Sequence, residues 1–62
     1  MVEIGQIRHW VNQIYGKPFL IIDICTDRFG NRCVNILLNG EISKDWELSW
    51  IIKNSVAINE AG

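Results

Sequence analysis

Apolar and polar residues alternate along most of this 62-residue chain. "QIRHWV", Gln6 to Val11, puts Ile7, His9 and Val11 on one face of a strand and Arg8 and Trp10 on the other. "FLIIDIC", Phe19 to Cys25, is apolar and isoleucine-rich. It follows Pro18, a residue suited to a strand's start because proline cannot donate to a ladder. "RCVNIL", Arg32 to Leu37, alternates with Val34 and Ile36 on one face. "EIS", Glu41 to Ser43, and "SVAIN", Ser55 to Asn59, add two short strands, the latter with Val56 and Ile58 on one face. Five short strands separated by turn residues predict a small all-β barrel or sandwich.

The connections agree with this reading. "VNQIYGKP" is an irregular loop containing glycine. "TDRFGN" holds the turn formers Asp27, Gly30 and Asn31 and joins the second and third strands as a hairpin. In "KDWELSWIIKN" Trp46, Trp50 and Lys53 fall at helical spacing, as do Leu48, Ile51 and Ile52. This predicts one helical turn around Glu47 to Ile52, capped by Asp45. The competing reading makes Leu48 to Ile52 a strand. A long first loop, tight hairpins and a helical turn before the last strand give the order of an SH3-like barrel. Gly5 fits a bend before the first strand.

Asn39-Gly40, between "VNILL" and "EIS", is a strong hairpin signal. A two-residue loop pairs Leu38 with Glu41 and Leu37 with Ile42. A three-residue loop pairs Leu37 with Glu41 and Ile36 with Ile42. The second keeps Val34, Ile36 and Ile42 on one buried face, and register follows the apolar face. It is therefore the expected one, with Leu37 on the outer face and Leu38 at the loop tip.

Composition narrows the possibilities. A chain of 62 residues is one domain, residues 1–62, and buries only about 60% of its unfolded surface, so self-association is a natural supplement. Six Lys and Arg stand against seven Asp and Glu, for a net charge of −1. They form no linear basic footprint of the kind a phosphate backbone demands. No segment approaches the roughly 18 apolar residues of a membrane span. The start, Met-Val-Glu-Ile-Gly, shows no basic region followed by an apolar run, so no signal peptide is expected. In a cytoplasm Cys25 and Cys33 stay reduced.

"VEIGQIRHW", "YGKPFLIIDI", "VNILLNGEI" and the terminal "VAIN" together resemble small proteins of tailed bacteriophages, especially those infecting cyanobacteria. Those proteins commonly run V-x-x-G-D-x-V-R-W, Y-G-x-x-G-x-V-x-D-I and V-x-V-L-W-N-G-E, then a tryptophan and a terminal L-x-V-I. The resemblance covers nearly the whole chain. This sequence departs from it at Gln6, where an acid is usual, at Leu38, where an aromatic is usual, and at Phe19, where glycine is common. The resemblance implies an SH3-like barrel of viral origin, placed in the host cytoplasm or the virion. It implies no activity.

Candidate chemistry is sparse. Cys25 and Cys33 are expected as cross-strand neighbours, packed as two small apolar residues rather than as half of a metal site. His9 has no nucleophile assigned beside it, and Asp23, Asp27, Asp45 and Glu47 form no paired-acid motif. No enzyme, cofactor or metal is expected. The aromatics carry more information. Trp10 shares its face with Arg8, which places it outward or at the rim, where a tryptophan either packs within the monomer or serves as an interface anchor. True SH3 domains carry an acidic first loop and a tryptophan opening the third strand. Both are missing here, which argues against Pro-rich peptides as ligands. The expected interaction surface is Arg8, Trp10, Tyr15, Leu37, Leu38 and Trp46. Its expected partner is a host or viral protein, or a second copy. The rival is a nucleic-acid-binding barrel using Arg8, Arg28, Arg32 and Lys44 with Trp10.

Overall fold

The computed structural model describes residues 2–12 and 16–58. It contains β1 (Ile7–Trp10), β2 (Phe19–Thr26), β3 (Arg32–Leu38), β4 (Glu41–Glu47), the helix α1 (Leu48–Asn54) and β5 (Ser55–Ala57). The strands form a single antiparallel sheet in the order β4-β3-β2-β1-β5, with β4 and β5 as its edges. All five expected strands are present. The helical reading of the segment after Trp46 holds over the strand reading. Asn59 of the expected last strand lies outside the described residues.

One face of the sheet is covered. Val34 and Ile36 from β3, Ile21 and Phe19 from β2, Trp10 from β1 and Ile51 from α1 are buried together with Val2. Leu38, Trp46, Leu48 and Trp50 pack around this centre and remain partly exposed. Four aromatic rings meet within it. Trp10 lies 4.3 Å from Phe19, 5.5 Å from Trp46 and 5.7 Å from Trp50 between ring centroids. These tilted and edge-on contacts suit the ring quadrupoles and add to area burial.

The expected orientation of β1 is reversed. Trp10 is 2% exposed and Arg8 6% exposed, while Ile7, His9 and Val11 face solvent. Trp10 goes inward because three aromatic neighbours, Phe19, Trp46 and Trp50, are there to receive its ring. Arg8 can follow it inward because acceptors wait there. Its Nε donates to Ser55 Oγ, its Nη2 to the Ser55 carbonyl and its Nη1 to Gln6 Oε1, each at 2.7 Å. The aliphatic stem packs while the guanidinium is satisfied.

The Asn39-Gly40 hairpin also departs from expectation. Leu38 pairs with Glu41 and Leu37 with Ile42, so the loop has two residues. Asn39 and Gly40 both adopt positive φ, 55° and 78°, as a type I′ turn requires. Its twist matches the flanking strands, and that local preference wins over the apolar pattern. The pattern is restored further along by a bulge. Ile36 pairs with Ser43 but Val34 pairs with Trp46, so Lys44 and Asp45 together oppose Asn35. Asp45 takes φ 64° and donates its N–H to Asn35 Oδ1 at 3.0 Å. This role replaces the expected helix cap. Glu47 occupies the N-cap position without a side-chain capping bond. A second bulge, between Ile21 and Asp23, keeps Ile21 and Ile24 facing Ile36 and Val34 across the β2–β3 pair.

The last turn of α1 is tied to the sheet. Asn54 Nδ2 donates to the Trp50 carbonyl at 2.8 Å and Ser55 Oγ to the Ile51 carbonyl at 2.5 Å. Val11 N–H donates to the Asn54 carbonyl at 2.9 Å. Helix-end carbonyls that would otherwise be orphaned are thus satisfied where α1 turns into β5.

Candidate interaction surface

The outer face of the sheet carries an apolar row that crosses β4, β3, β2 and β1 and ends at Ile58, the residue after β5. Ile42 pairs with Leu37, Leu37 with Leu20, and Leu20 with Ile7. Ile58 N–H donates to the Ile7 carbonyl at 2.9 Å, which carries the row to the last strand's edge. Paired residues share a face, so these five side chains stand side by side. Ile42 is 62% exposed, Ile58 53%, and Leu37 and Ile7 36% each, with Leu20 half-buried between them. Val56, opposite His9, adds another exposed aliphatic beside the row. At a strand spacing of about 4.8 Å the row runs roughly 19 Å along the outer, convex side of a sheet curled enough for Trp10 of β1 and Trp46 of β4 to meet at 5.5 Å inside. A solvated face of an antiparallel sheet is normally polar. A continuous exposed apolar row is therefore the informative feature, where single exposed leucines would not be.

The expected surface is only partly assembled here. Leu37 lies in the middle of the row, on the outer face as expected. Leu38 lies on the inner face, half-buried against the core, because the two-residue turn keeps it in the ladder. Arg8 and Trp10 are buried. Trp46 faces inward, its ring stacked among Trp10 and Trp50 and its Nε1–H donating to Ser43 Oγ at 2.8 Å. Tyr15 lies outside the described residues. Leu20, Ile7, Ile42 and Ile58 belong to the row and are absent from the expected surface. The signal for Ile7 was its alternation opposite Trp10. For Ile42 it was the Asn-Gly dipeptide itself, which prefers the two-residue turn.

A second exposed feature is the β2–β3 loop. Asp27 Oδ1 accepts from the N–H groups of Phe29 and Asn31, both at 2.9 Å, and Asp27 N–H donates to the Asn31 carbonyl at 2.8 Å. This Asx-type turn holds Phe29 out at 79% exposure between Arg28 and Arg32. Below it, Asn31, Arg32, Glu47, Leu48, Ser49 and Ile52 line an open cleft of about 270 Å³. That is smaller than the roughly 300–1,000 Å³ of small-molecule sites.

Cys25 and Cys33 are cross-strand partners in β2 and β3, both as free thiols. Cys33 is buried and Cys25 half-buried. Burial, reinforced by the Asp27 carboxylate, pushes the Cys33 thiol up. Its Sγ lies 3.9 Å from Asp27 Oδ2 and 3.8 Å from the Asn31 carbonyl, contacts that favour the protonated form. Such a thiol is a weak nucleophile. Among the described residues no three His, Cys, Asp or Glu side chains gather as a metal site, and no helix is long and apolar enough to cross a membrane.

Compared with protein-family models, with curated proteins and with solved structures, the chain finds no match. The functional reading therefore rests on the chain's own geometry.

Proposed function

We propose that this protein is a non-enzymatic, SH3-like barrel that works as a protein-interaction module through the outer face of its sheet, an accessory protein of viral type. The apolar row Ile42–Leu37–Leu20–Ile7–Ile58 carries this reading. The element order, with β5 beside β1 and a short helix before it, is the one the barrel class uses, although the sheet is open among the described residues, with β4 and β5 unpaired to each other. The viral origin rests on the sequence resemblance alone.

The nucleic-acid reading is weaker on this geometry. Arg8 and Trp10 are buried and unavailable to a phosphate backbone or a base. Arg28 and Phe29 on the β2–β3 loop and Arg32 at the start of β3 remain exposed, and Lys44 is exposed on β4. Three cations and one aromatic make a small footprint compared with the grooves that track single strands.

A photo-reactive residue at position 37 in the full chain tests the choice. Cross-linking in the source cells should yield protein adducts that a probe at position 29 does not give. No adduct at position 37, together with a salt-dependent shift of labelled single-stranded DNA or RNA, would replace this reading with the nucleic-acid one.

A further inference from the structure

We infer that the outer-face row is covered by a second copy of this chain, in a two-fold symmetric, sheet-on-sheet dimer. The inference rests on the interaction-module reading and names its partner.

Three observations select a second copy. The first is the character of the row. None of its five side chains is charged or polar. An isologous interface lays a patch on itself, so any charge near the axis meets its own like. An uncharged apolar row has no such penalty, and it is self-complementary in either direction along the sheet.

The second is area. A specific interface needs roughly 500–800 Å² from each partner. That is between a ninth and a fifth of the 4384 Å² this chain exposes. The molecule measures 29 × 26 × 19 Å, so one broad face offers an area of that order. The apolar row supplies its centre. His9, Val56 and the Asn39-Gly40 turn flank it on one side and Ile22, Asp23 and Lys44 on the other, as a polar and mixed rim. Two sheets packed face to face at about 10 Å bury such rows against each other, as in a sandwich.

The third is charge and size. A net charge of −1 gives two copies almost no long-range repulsion. A core built from one side of a single five-stranded sheet and one seven-residue helix is small. Covering the other side makes each sheet a fully packed layer.

Sedimentation equilibrium of the full chain across the micromolar to millimolar range tests the inference. The wild type should approach twice its 7.1 kDa mass. Leu37→Lys and Ile42→Lys should each weaken association at least tenfold while far-ultraviolet circular dichroism and tryptophan emission stay unchanged. Ile42 lies on an edge strand and is 62% exposed, so its replacement leaves the fold intact even if Leu37→Lys does not. Phe29→Ser, off the face, should leave the dimer unchanged. A mixed-label NMR sample of the wild type should show intermolecular contacts among the Leu20, Leu37 and Ile7 methyl groups.

A wild type that stays at 7.1 kDa throughout overturns the inference. So does a dimer that survives both lysine variants, or one lost in Phe29→Ser. A monomer whose position-37 cross-links capture a different protein overturns the second-copy assignment and leaves the interaction module standing. A monomer with no adduct at position 37 removes both.

Discussion

Replacing Ser55 by alanine removes one oxygen from the centre of the Arg8 network. That oxygen accepts from Arg8 Nε at 2.7 Å and donates to the Ile51 carbonyl at 2.5 Å. Ser55 is 1% exposed, so water does not replace either bond. A hydrogen bond to a charged group contributes about 1.5–3 kcal/mol, and a neutral one about 0.5–1.5 kcal/mol. The two share an atom and do not simply add, so the expected loss is about 2–3 kcal/mol. A domain this small has on the order of 3–5 kcal/mol in total. Ser55→Ala should therefore lower Tm by about 10–20 °C, at about 4–8 °C per kcal/mol for a chain of this length. Urea unfolding followed by tryptophan emission reads this directly, at one protein concentration because dimerisation adds a concentration dependence. The cause is checked with Arg8→Met. With the guanidinium gone, Ser55→Ala should cost no more than about 1 kcal/mol, the value of the remaining neutral bond. A single Ser55→Ala effect within about 0.5 kcal/mol, the range of an ordinary surface change, would refute the reasoning. Strict additivity with Arg8→Met would refute it too. The network also positions β5, so Ser55→Ala should weaken self-association by disturbing Val56 and Ile58.

Gly40→Ala should cost about 1–2 kcal/mol by thermal melting, because φ 78° penalises a Cβ even where no atom lies within 4 Å of it. Gly40→Asn should cost less, since asparagine tolerates that region. Asp45→Gly should raise stability by up to about 1 kcal/mol, relieving a non-glycine residue at φ 64° while keeping its N–H bond to Asn35. Asn35→Ala should do the reverse, which the same melts will show. Iodoacetamide labelling followed by mass spectrometry should modify Cys25 well before Cys33. The raised thiol of Cys33 also sets a pH dependence. The folded chain holds that proton more tightly than the unfolded chain. The stabilisation is complete below the ordinary thiol range of about pH 8–9 and is lost as pH rises from there through the higher value of the folded thiol. Denaturation midpoints of the wild type should fall toward those of Cys33→Ala above that range, and parallel curves would exclude the effect.

Elements with one dominant local signal were legible in the sequence. "FLIIDIC" after Pro18 and the Asp27–Asn31 turn needed only strand propensity and turn chemistry. Cys25 and Cys33 follow from that turn's length, and they pair as expected. β1 failed because alternation says that two faces differ but not which one is inside. The answer depended on Phe19, Trp46 and Trp50 meeting Trp10, and on Ser55, forty-seven residues away from Arg8, supplying an acceptor. Arginine beside tryptophan reads as surface until a buried acceptor is known. β4 was extended by four residues for a similar reason. Its pattern breaks at Lys44 and Asp45, and a bulge hides the continuing strand from any period-two reading.

The turn and the bulge act together to make the outer face. A type I′ turn at Asn39-Gly40 places Ile42 opposite Leu37, on the solvent side. Without correction the same register would turn Trp46 outward, since four residues separate it from Ile42 and strand faces alternate. The extra residue at Lys44–Asp45 reverses the parity once, so that Trp46 meets Val34, Trp10 and Trp50 inside. The three-residue loop would have placed Ile42 in the core and needed no bulge. The fold instead holds Asp45 at positive φ, with Asn35 as its acceptor, and leaves an isoleucine in water. For an isolated monomer that arrangement exposes an isoleucine and strains Asp45, while it keeps in water the Lys44 that the three-residue loop would turn inward. It gains where Ile42 and Leu37 meet another apolar surface, because the exposed isoleucine then contributes to binding. The opposed choices at the two ends of β4 are therefore the strongest physical reason to look for a partner on this face.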